Sequence, residues 1–202
     1  MIIIGLCGNS GSGKSTVCKS FLKFGIQSID ADAVYRDLTK PNSELNLSLR
    51  SHFGAEILNE DLSLNRKALS NIIFSDITGS KRKLLNSVTH SAIIDETLRR
   101  IEEYKNNGER AVIFDAPLLF ESGFDKKCDL IIAVTADKDK KIERIMKRDG
   151  IDYSLASLRI ASQLDEDFLT AHASYVIDTT DGEGVIDTRV REITENIFKC
   201  EV

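Results

Sequence analysis

Residues Gly8 to Ser15 read Gly-Asn-Ser-Gly-Ser-Gly-Lys-Ser, and residues of these types in this order can hold a chain of phosphates. They fit G-x-x-x-x-G-K-[ST], the phosphate-binding loop. Gly8, Gly11 and Gly13 let the backbone take positive φ and leave no Cβ in the way. Consecutive amide N–H groups can then turn inward around a triphosphate tail, and the helix N-terminus beneath adds its partial positive charge. Lys14 can reach the β- and γ-phosphates, and the Ser15 hydroxyl can ligate Mg²⁺. The candidate nucleotide-binding set is Gly8, Gly11, Ser12, Gly13, Lys14, Ser15 and Thr16. A plain Gly/Ser-rich turn is the bland alternative, and context separates the two. Ile2, Ile3, Ile4 and Leu6 suit a buried strand before the loop, and Thr16 to Phe24 suit a helix after it.

A second group is acidic. Asp30-Ala-Asp32 follows an apolar run, and in parallel α/β sheets ligands bind beyond the carboxyl ends of strands. A carboxylate there can orient an acceptor hydroxyl and take its proton during phosphoryl transfer. A spacing of two in an extended segment would put both side chains on one face. Alternatively Asp30 caps the next helix, a role that Asp fills well. Asp115 closes another apolar run, as a Walker B acid does when it assists a Mg²⁺ shell, although strand ends often carry Asp. Glu121 stands six residues on, as a site residue or an ordinary surface one.

The third group is basic. Lys141, Arg144 and Arg148 fall at i, i+3 and i+7 in the segment Lys138 to Arg148, so they share a helical face. In water this is a solvated stripe; over the crevice it is a clamp on the transferring phosphoryl group, for which the planar fork of Arg is suited. Arg159 and Gln163 continue the pattern at i, i+4.

Five strands are predicted to position these groups: Ile2 to Cys7, Ile26 to Ile29, Ala111 to Phe114, Leu130 to Val134 and Tyr175 to Ile177. Most are continuous apolar runs, the mark of parallel strands covered on both faces, and helical stretches between them imply a doubly wound sheet. The gap from Ala31 to Arg110 is too long for one crossover. Leu45, Leu49 and Phe53 line one helical face there. Leu84, Leu85, Val88, Ala92, Ile94, Leu98 and Ile101 line a longer one, and Asn106-Asn107-Gly108 ends it with turn chemistry. This reads as a helical insertion.

The 202 residues suit one α/β domain with such an insertion. A net charge of −5 argues against a main role in gripping a nucleic-acid backbone. No stretch approaches the about 18 apolar residues of a membrane span, and no signal peptide is legible. Cys7, Cys18, Cys128 and Cys200 form no C-x-x-C pair, and His52, His90 and His172 lack metal-ligand spacing to them, which argues against zinc. Cys7 and Cys128 sit beside strand runs as small core residues, and the cysteine usage suggests a reducing cytosol.

With these pieces placed, nearly the whole chain resembles the dephospho-coenzyme A kinase family. The loop matches that family's opening motif, and Asp30-Ala-Asp32 its acidic motif. Leu64-Asn-Arg66-Lys-Ala-Leu69 with Phe74, Leu85-Asn86 to His90, and Pro117-Leu-Leu-Phe-Glu121 match further elements. Arg144, Arg148, Arg159 and Gln163 match its lid pattern. Four positions depart from it: Ser91 for Pro, Lys141 for Gln, Ser174 for Asp and Thr179 for Asn.

The resemblance implies a P-loop NTPase fold: α/β, with a five-stranded parallel sheet, helices on both faces, a helical substrate-binding insertion and a helical lid. It implies a core over about 1–30, 111–136 and 170–202, the insertion over about 31–110 and the lid over about 137–169. The implied reaction moves the γ-phosphoryl of ATP to the ribose 3′-hydroxyl of dephospho-CoA, with Mg²⁺, giving coenzyme A and ADP. Asp32, Lys14, Arg144 and Arg148 would be catalytic. Asp32, Arg66, His90, Leu118 and Glu121 would bind the substrate, and His90 has a competing role as an ordinary helix histidine. Ser15 would hold Mg²⁺, with Asp115 a candidate to join through water. The enzyme would be cytoplasmic, a monomer or weak homo-oligomer, with neither a nucleic acid nor a membrane as partner. Two other readings stay open: a nucleotide switch, although no N-K-x-D element is present, and a kinase for another small acceptor.

Overall fold

An apolar run without alternation needs cover on both faces. In the computed structural model, which describes residues 1–199, the strands are β1 (Ile2–Cys7), β2 (Gln27–Asp30), β3 (Ala111–Asp115), β4 (Leu130–Thr135) and β5 (Tyr175–Asp178). They form one parallel sheet in the order β2-β3-β1-β4-β5. The helices are α1 (Lys14–Leu22), α2 (Ala31–Leu38), α3 (Glu44–Phe53), α4 (Arg66–Phe74), α5 (Ser80–Asn106), α6 (Lys138–Asp149), α7 (Tyr153–Ala161), α8 (Glu166–Ala171) and α9 (Glu183–Lys199).

The chain divides into two compact units, residues 1–29 with 104–202, and residues 30–103. In the first, Ile4, Leu6, Ile113, Ile132, Val134 and Ile177 point to one face of the sheet. They are buried there with Val17 and Phe21 of α1 and Ile186, Val190 and Ile193 of α9. The alternate residues serve the other face. The Phe114 ring meets Phe124 at 4.3 Å, and a Cβ on Gly5 would lie 2.9 Å from both Cys128 Sγ and Leu119 Cδ2. Phe124 and Leu119 are fully buried. The segment after β3 is therefore the cover on that side, and two-sided cover explains why the central strands β1, β3 and β4 do not alternate, while the edge strands β2 and β5 bury one face only.

The second unit has its own core of Leu45, Leu49, Phe53, Ile57, Leu69 and Ile73. The predicted α3 face is buried as expected. Buried Asn46 donates to the carbonyls of Thr39 (3.4 Å), Lys40 (3.0 Å) and Leu62 (3.1 Å), which fixes the turn before α3.

Several expectations need correction. Helix α1 lies two residues before the predicted Thr16–Phe24. Gly13, at φ 91°, already caps it, and the chain leaves through a turn that reaches Gly25, at φ 78°. Strand β2 is Gln27–Asp30 rather than Ile26 to Ile29, because the Ile26 N–H is spent on the Phe21 carbonyl. Strands β3, β4 and β5 each run one polar residue further than predicted. Ladder bonds are made by backbone, so the pairs Leu6↔Asp115 and Thr135↔Asp178 extend them. On α5, Leu84 is exposed, because residues 81–84 run past the core that Leu85 joins. The buried polar positions there are Thr89 and Thr97, and the Thr89 hydroxyl donates to the Leu85 carbonyl at 2.7 Å.

Asp30 and Asp32 do not share a face of an extended segment. Asp30 is the N-cap of α2. Its Oδ1 accepts from the N–H groups of Asp32 (2.8 Å) and Ala33 (3.3 Å), so Asp32 is already helical. The capping alternative for Asp30 is the one observed. Cys7 is buried, and Cys18 and Cys128 are half-buried, all as free thiols. Burial pushes the Cys7 thiol up to about 11 and the other two up to about 12. Cys200 lies outside the described residues.

Candidate active site

The loop from Gly8 to Gly13 connects β1 to α1, at the carboxyl end of the central strand. Two of its glycines are obligatory on geometry. Gly8 has φ 152°, and a Cβ there would lie 2.4 Å from the Val134 carbonyl oxygen. Gly11 has φ 79°, and a Cβ there would lie 2.5 Å from the carbonyl oxygen of Lys141 in α6. Both obstacles are backbone, which cannot rotate away. Ser12 is 1% exposed, and its N–H closes a turn onto the Asn9 carbonyl at 3.0 Å. Lys14 Nζ rests on the Gly8 carbonyl at 2.8 Å, and Ser15 is exposed in the first turn of α1.

The segment 137–172 is tied to this loop at several points within the first unit. The Ser10 N–H donates to Gln163 Oε1 at 2.8 Å, and the Asn9 side chain donates to the Leu164 carbonyl at 3.2 Å. Arg144 Nη1 donates to the Gly11 carbonyl (3.0 Å) and the Thr179 hydroxyl (2.8 Å), and its Nη2 donates to the Thr179 carbonyl (2.8 Å). Arg148 Nη2 reaches the Ser10 hydroxyl at 3.3 Å. The basic stripe is therefore neither wholly solvated nor uniform. Lys141 is 5% exposed and paired with Glu166, Arg144 is half-buried on the loop, and Arg148 is exposed. A helical face fixes angular position only, and depth depends on the neighbour, here the loop at Gly11.

Sequence reasoning missed Asp149. It accepts from Arg148 Nε (2.8 Å) and Nη2 (2.9 Å) and also from Arg159. Those arginines hold its carboxyl below the usual range, and the same contact raises Arg148. The signal was present: a carboxylate directly after Arg148. Glu166 and the structural use of Thr179 were also missed, because both depend on contacts between distant segments.

Asp115 ends β3 beside Leu6 of β1, and its Oδ2 accepts from Cys18 Sγ at 3.8 Å. Leu118 and Glu121 are exposed on the segment after β3. Between them Phe120 meets Phe168 of α8 edge-on at 5.2 Å and His172 at 5.8 Å, so this segment is anchored to α8. In the second unit, Asp32 is exposed in the first turn of α2. Arg66 opens α4, exposed, with its guanidinium 5.6 Å from the Tyr35 ring centroid. His90 is half-buried on α5. The structure thus brings together Gly8, Gly11, Ser12, Gly13, Lys14, Arg144 and Arg148 in the first unit, while Asp32, Arg66 and His90 belong to the second. Among the described residues, no three of His, Cys, Asp and Glu gather as a metal site, and no helix is long and apolar enough to cross a membrane.

A central parallel strand, a glycine loop at its carboxyl end and a helix beginning directly at the loop's lysine define the P-loop NTPase class. Comparison with known proteins narrows this. The family model described as dephospho-CoA kinase matches residues 2–183. The dephospho-CoA kinase of Corynebacterium efficiens is 38% identical over 178 residues, 88% of each chain. A Thermus thermophilus crystal structure, TT1252, is 27% identical with a TM-score of 0.81, covering 96% of both chains. The dephospho-CoA kinase structure from Campylobacter jejuni is 25% identical with a TM-score of 0.70, covering 99% of this chain and 98% of that one. The chain belongs to the dephospho-CoA kinase family.

Proposed function

We propose that the chain transfers the γ-phosphoryl group of ATP to the ribose 3′-hydroxyl of dephospho-CoA, giving coenzyme A and ADP. The observation that carries this is a family match over residues 2–183 that includes an intact loop at Gly8 to Ser15, with the glycine geometry the motif requires. The new bond joins the 3′-oxygen to the γ-phosphorus, the bond to the β,γ-bridging oxygen breaks, and the hydroxyl proton passes to Asp32. Such a transition state is loose, so the protein works by positioning and by neutralising charge.

In this reading Gly8, Gly11, Ser12, Gly13, Lys14, Ser15 and Thr16 form the phosphate cradle, with the Ser12 and Thr16 amides kept on the Asn9 and Gly13 carbonyls. Lys14 exchanges the Gly8 carbonyl for the phosphate oxygens. Arg144 steadies the loop it already touches, and Arg148 meets the transferring group. The donor set fits Mg²⁺, which takes few protein oxygens beside water and phosphate. The exposed Ser15 hydroxyl would hold it, with Asp115 through water, and the ion would neutralise charge on the phosphates. Arg66, His90, Leu118 and Glu121 contact the acceptor. Residues 31–110 serve as the substrate-binding insertion and 137–169 as the lid, around a core of 1–30, 111–136 and 170–202. We place the enzyme in the cytoplasm as a monomer or weak homo-oligomer, acting on a small molecule rather than a nucleic acid or membrane.

The test is ADP release coupled to a spectrophotometric readout, with and without dephospho-CoA, and with nucleoside monophosphates and sugars as alternative acceptors. Release that depends on dephospho-CoA alone is expected. Equal release without any acceptor would indicate a slow hydrolase or switch. In the same assay Asp32→Asn should cut kcat at least a hundredfold, the scale of general-base catalysis, with ATP affinity within about threefold of wild type. Near-normal turnover at saturating substrates would remove Asp32 from the base role.

A further inference from the structure

Thr179 directly follows β5 and is 1% exposed. Its N–H donates to the Thr135 carbonyl at 3.0 Å, which fixes its backbone to the sheet. Its hydroxyl then does two things at once. It donates to the Ser12 carbonyl at 2.6 Å and accepts from Arg144 Nη1 at 2.8 Å. The same Nη1 donates to the Gly11 carbonyl, and Nη2 to the Thr179 carbonyl. Two consecutive loop carbonyls are thereby held by one buried hydroxyl and one guanidinium.

A trans peptide carries its C=O and N–H in opposite directions, and no peptide among those described is cis. Holding the Ser12 carbonyl toward Thr179 therefore turns the Gly13 N–H away from it. Holding the Gly11 carbonyl toward Arg144 turns the Ser12 N–H the opposite way, where it closes onto the Asn9 carbonyl. The approach is close: a Cβ on Gly13 would lie 3.0 Å from Thr179 Oγ1. A hydroxyl has one donor hydrogen and two lone pairs, so it can bond the carbonyl and the guanidinium together. A methyl in its place can do neither.

We propose that Thr179 is a positioning residue for the nucleotide site. Its hydroxyl, shared with Arg144, sets the peptide between Ser12 and Gly13 so that the Gly13 amide faces the anionic phosphate chain of a nucleoside triphosphate. The proposal deepens, and rests on, the reading of the loop as an ATP site.

The experiment compares wild type, Thr179→Val and Thr179→Ser. It measures KM for ATP and for dephospho-CoA, and the Kd of ADP by calorimetry. Val keeps the shape and removes the hydroxyl, so KM for ATP and Kd for ADP should rise about tenfold or more, near 1.4 kcal/mol. KM for dephospho-CoA should stay within twofold. Ser restores the hydroxyl and should return ATP and ADP to within threefold of wild type. A Val variant within twofold of wild type for both nucleotides overturns the proposal. So does a Ser variant as weak as Val, since that would make the methyl packing the cause. Should Val fail to fold by circular dichroism, Thr179→Cys, with a weak donor of similar size, takes its place. It should weaken ADP at least threefold, and wild-type affinity refutes the proposal. If wild type binds ADP but leaves dephospho-CoA unphosphorylated, the assigned reaction fails and the ADP series still decides the role of Thr179.

Discussion

Glu166→Gln should destabilise this protein well beyond what a surface substitution does. Lys141 is 5% exposed in α6, and its ammonium is paired with Glu166 of α8, whose side chain is 32% exposed. Removing one partner of a buried pair strands the other charge and costs about 3–5 kcal/mol. Water reaches Glu166 partly, so the lower end applies, about 3 kcal/mol. For a chain of this length each kcal/mol moves Tm by about 2–4 °C, which gives a loss of about 6–12 °C. Lys141→Met leaves only the better-solvated carboxylate alone and should cost less. The double variant, Lys141→Met with Glu166→Gln, should return to within about 1 kcal/mol of wild type, because a buried pair replaced by neutral groups is often neutral in stability. Thermal unfolding of all four proteins at one pH closes the cycle. The reasoning fails if Glu166→Gln lowers Tm by less than about 2 °C, or if the double variant is as unstable as the two single losses added.

Asp149→Asn removes the anion that now occupies Arg148 and Arg159. KM for ATP should fall about threefold at low salt, because two guanidinia are released for phosphate, and the gain should shrink at about 0.5 M salt. A rise in KM instead would mean that the carboxylate aligns the forks rather than competing for them. In the second unit, hydrogen bonds from Arg99, and then Arg100, hold the Glu96 carboxyl down at about 2, from 4.5. The folded pKa is depressed, so the unfolded chain binds more protons between these values and stability falls as pH drops through that window. Glu96→Gln should flatten the fall, measured as urea midpoints from pH 5 to 2; an unchanged slope would show that the pair contributes nothing.

The elements legible in the sequence are those whose causes are local. Gly8 and Gly11 had to be glycine because backbone oxygens crowd them, and a motif of glycines records that directly. The three central strands, β1, β3 and β4, were legible because both faces are covered, which erases alternation, whereas the edge strands β2 and β5 bury one face only. Their ends were less so: Asp115, Thr135 and Asp178 look like turn residues, but ladder bonds ignore side-chain polarity. Asp30 could be read two ways, since a strand end and a helix cap are adjacent positions in this chain. Lys141 illustrates the opposite limit. Its place on a helical face was correct, yet its burial depends on Gly11, a residue 130 positions earlier, and on a carboxylate in another helix. Thr179 was noticed as a departure from a pattern, but its bonds to Ser12 and Arg144 bridge sequence separations of 167 and 35 residues, and no local signal encodes them.

Those long-range bonds bear on how the loop works. Asn9, Ser10, Gly11 and Ser12 are each tied to a residue after position 140: Leu164, Gln163, Arg144 and Thr179. A glycine-rich loop left alone would have many conformations to lose on binding, and ordering it would cost affinity. Here that ordering is done by the folded chain, through the Asn9 side chain, the Ser10 N–H and the Gly11 and Ser12 carbonyls. Lys14 differs, because its ammonium rests on the Gly8 carbonyl and must exchange that bond to reach a phosphate. Rigid amides with one movable charge suit a transferring phosphoryl group, since the amides need no reorganisation while the charge can follow the group.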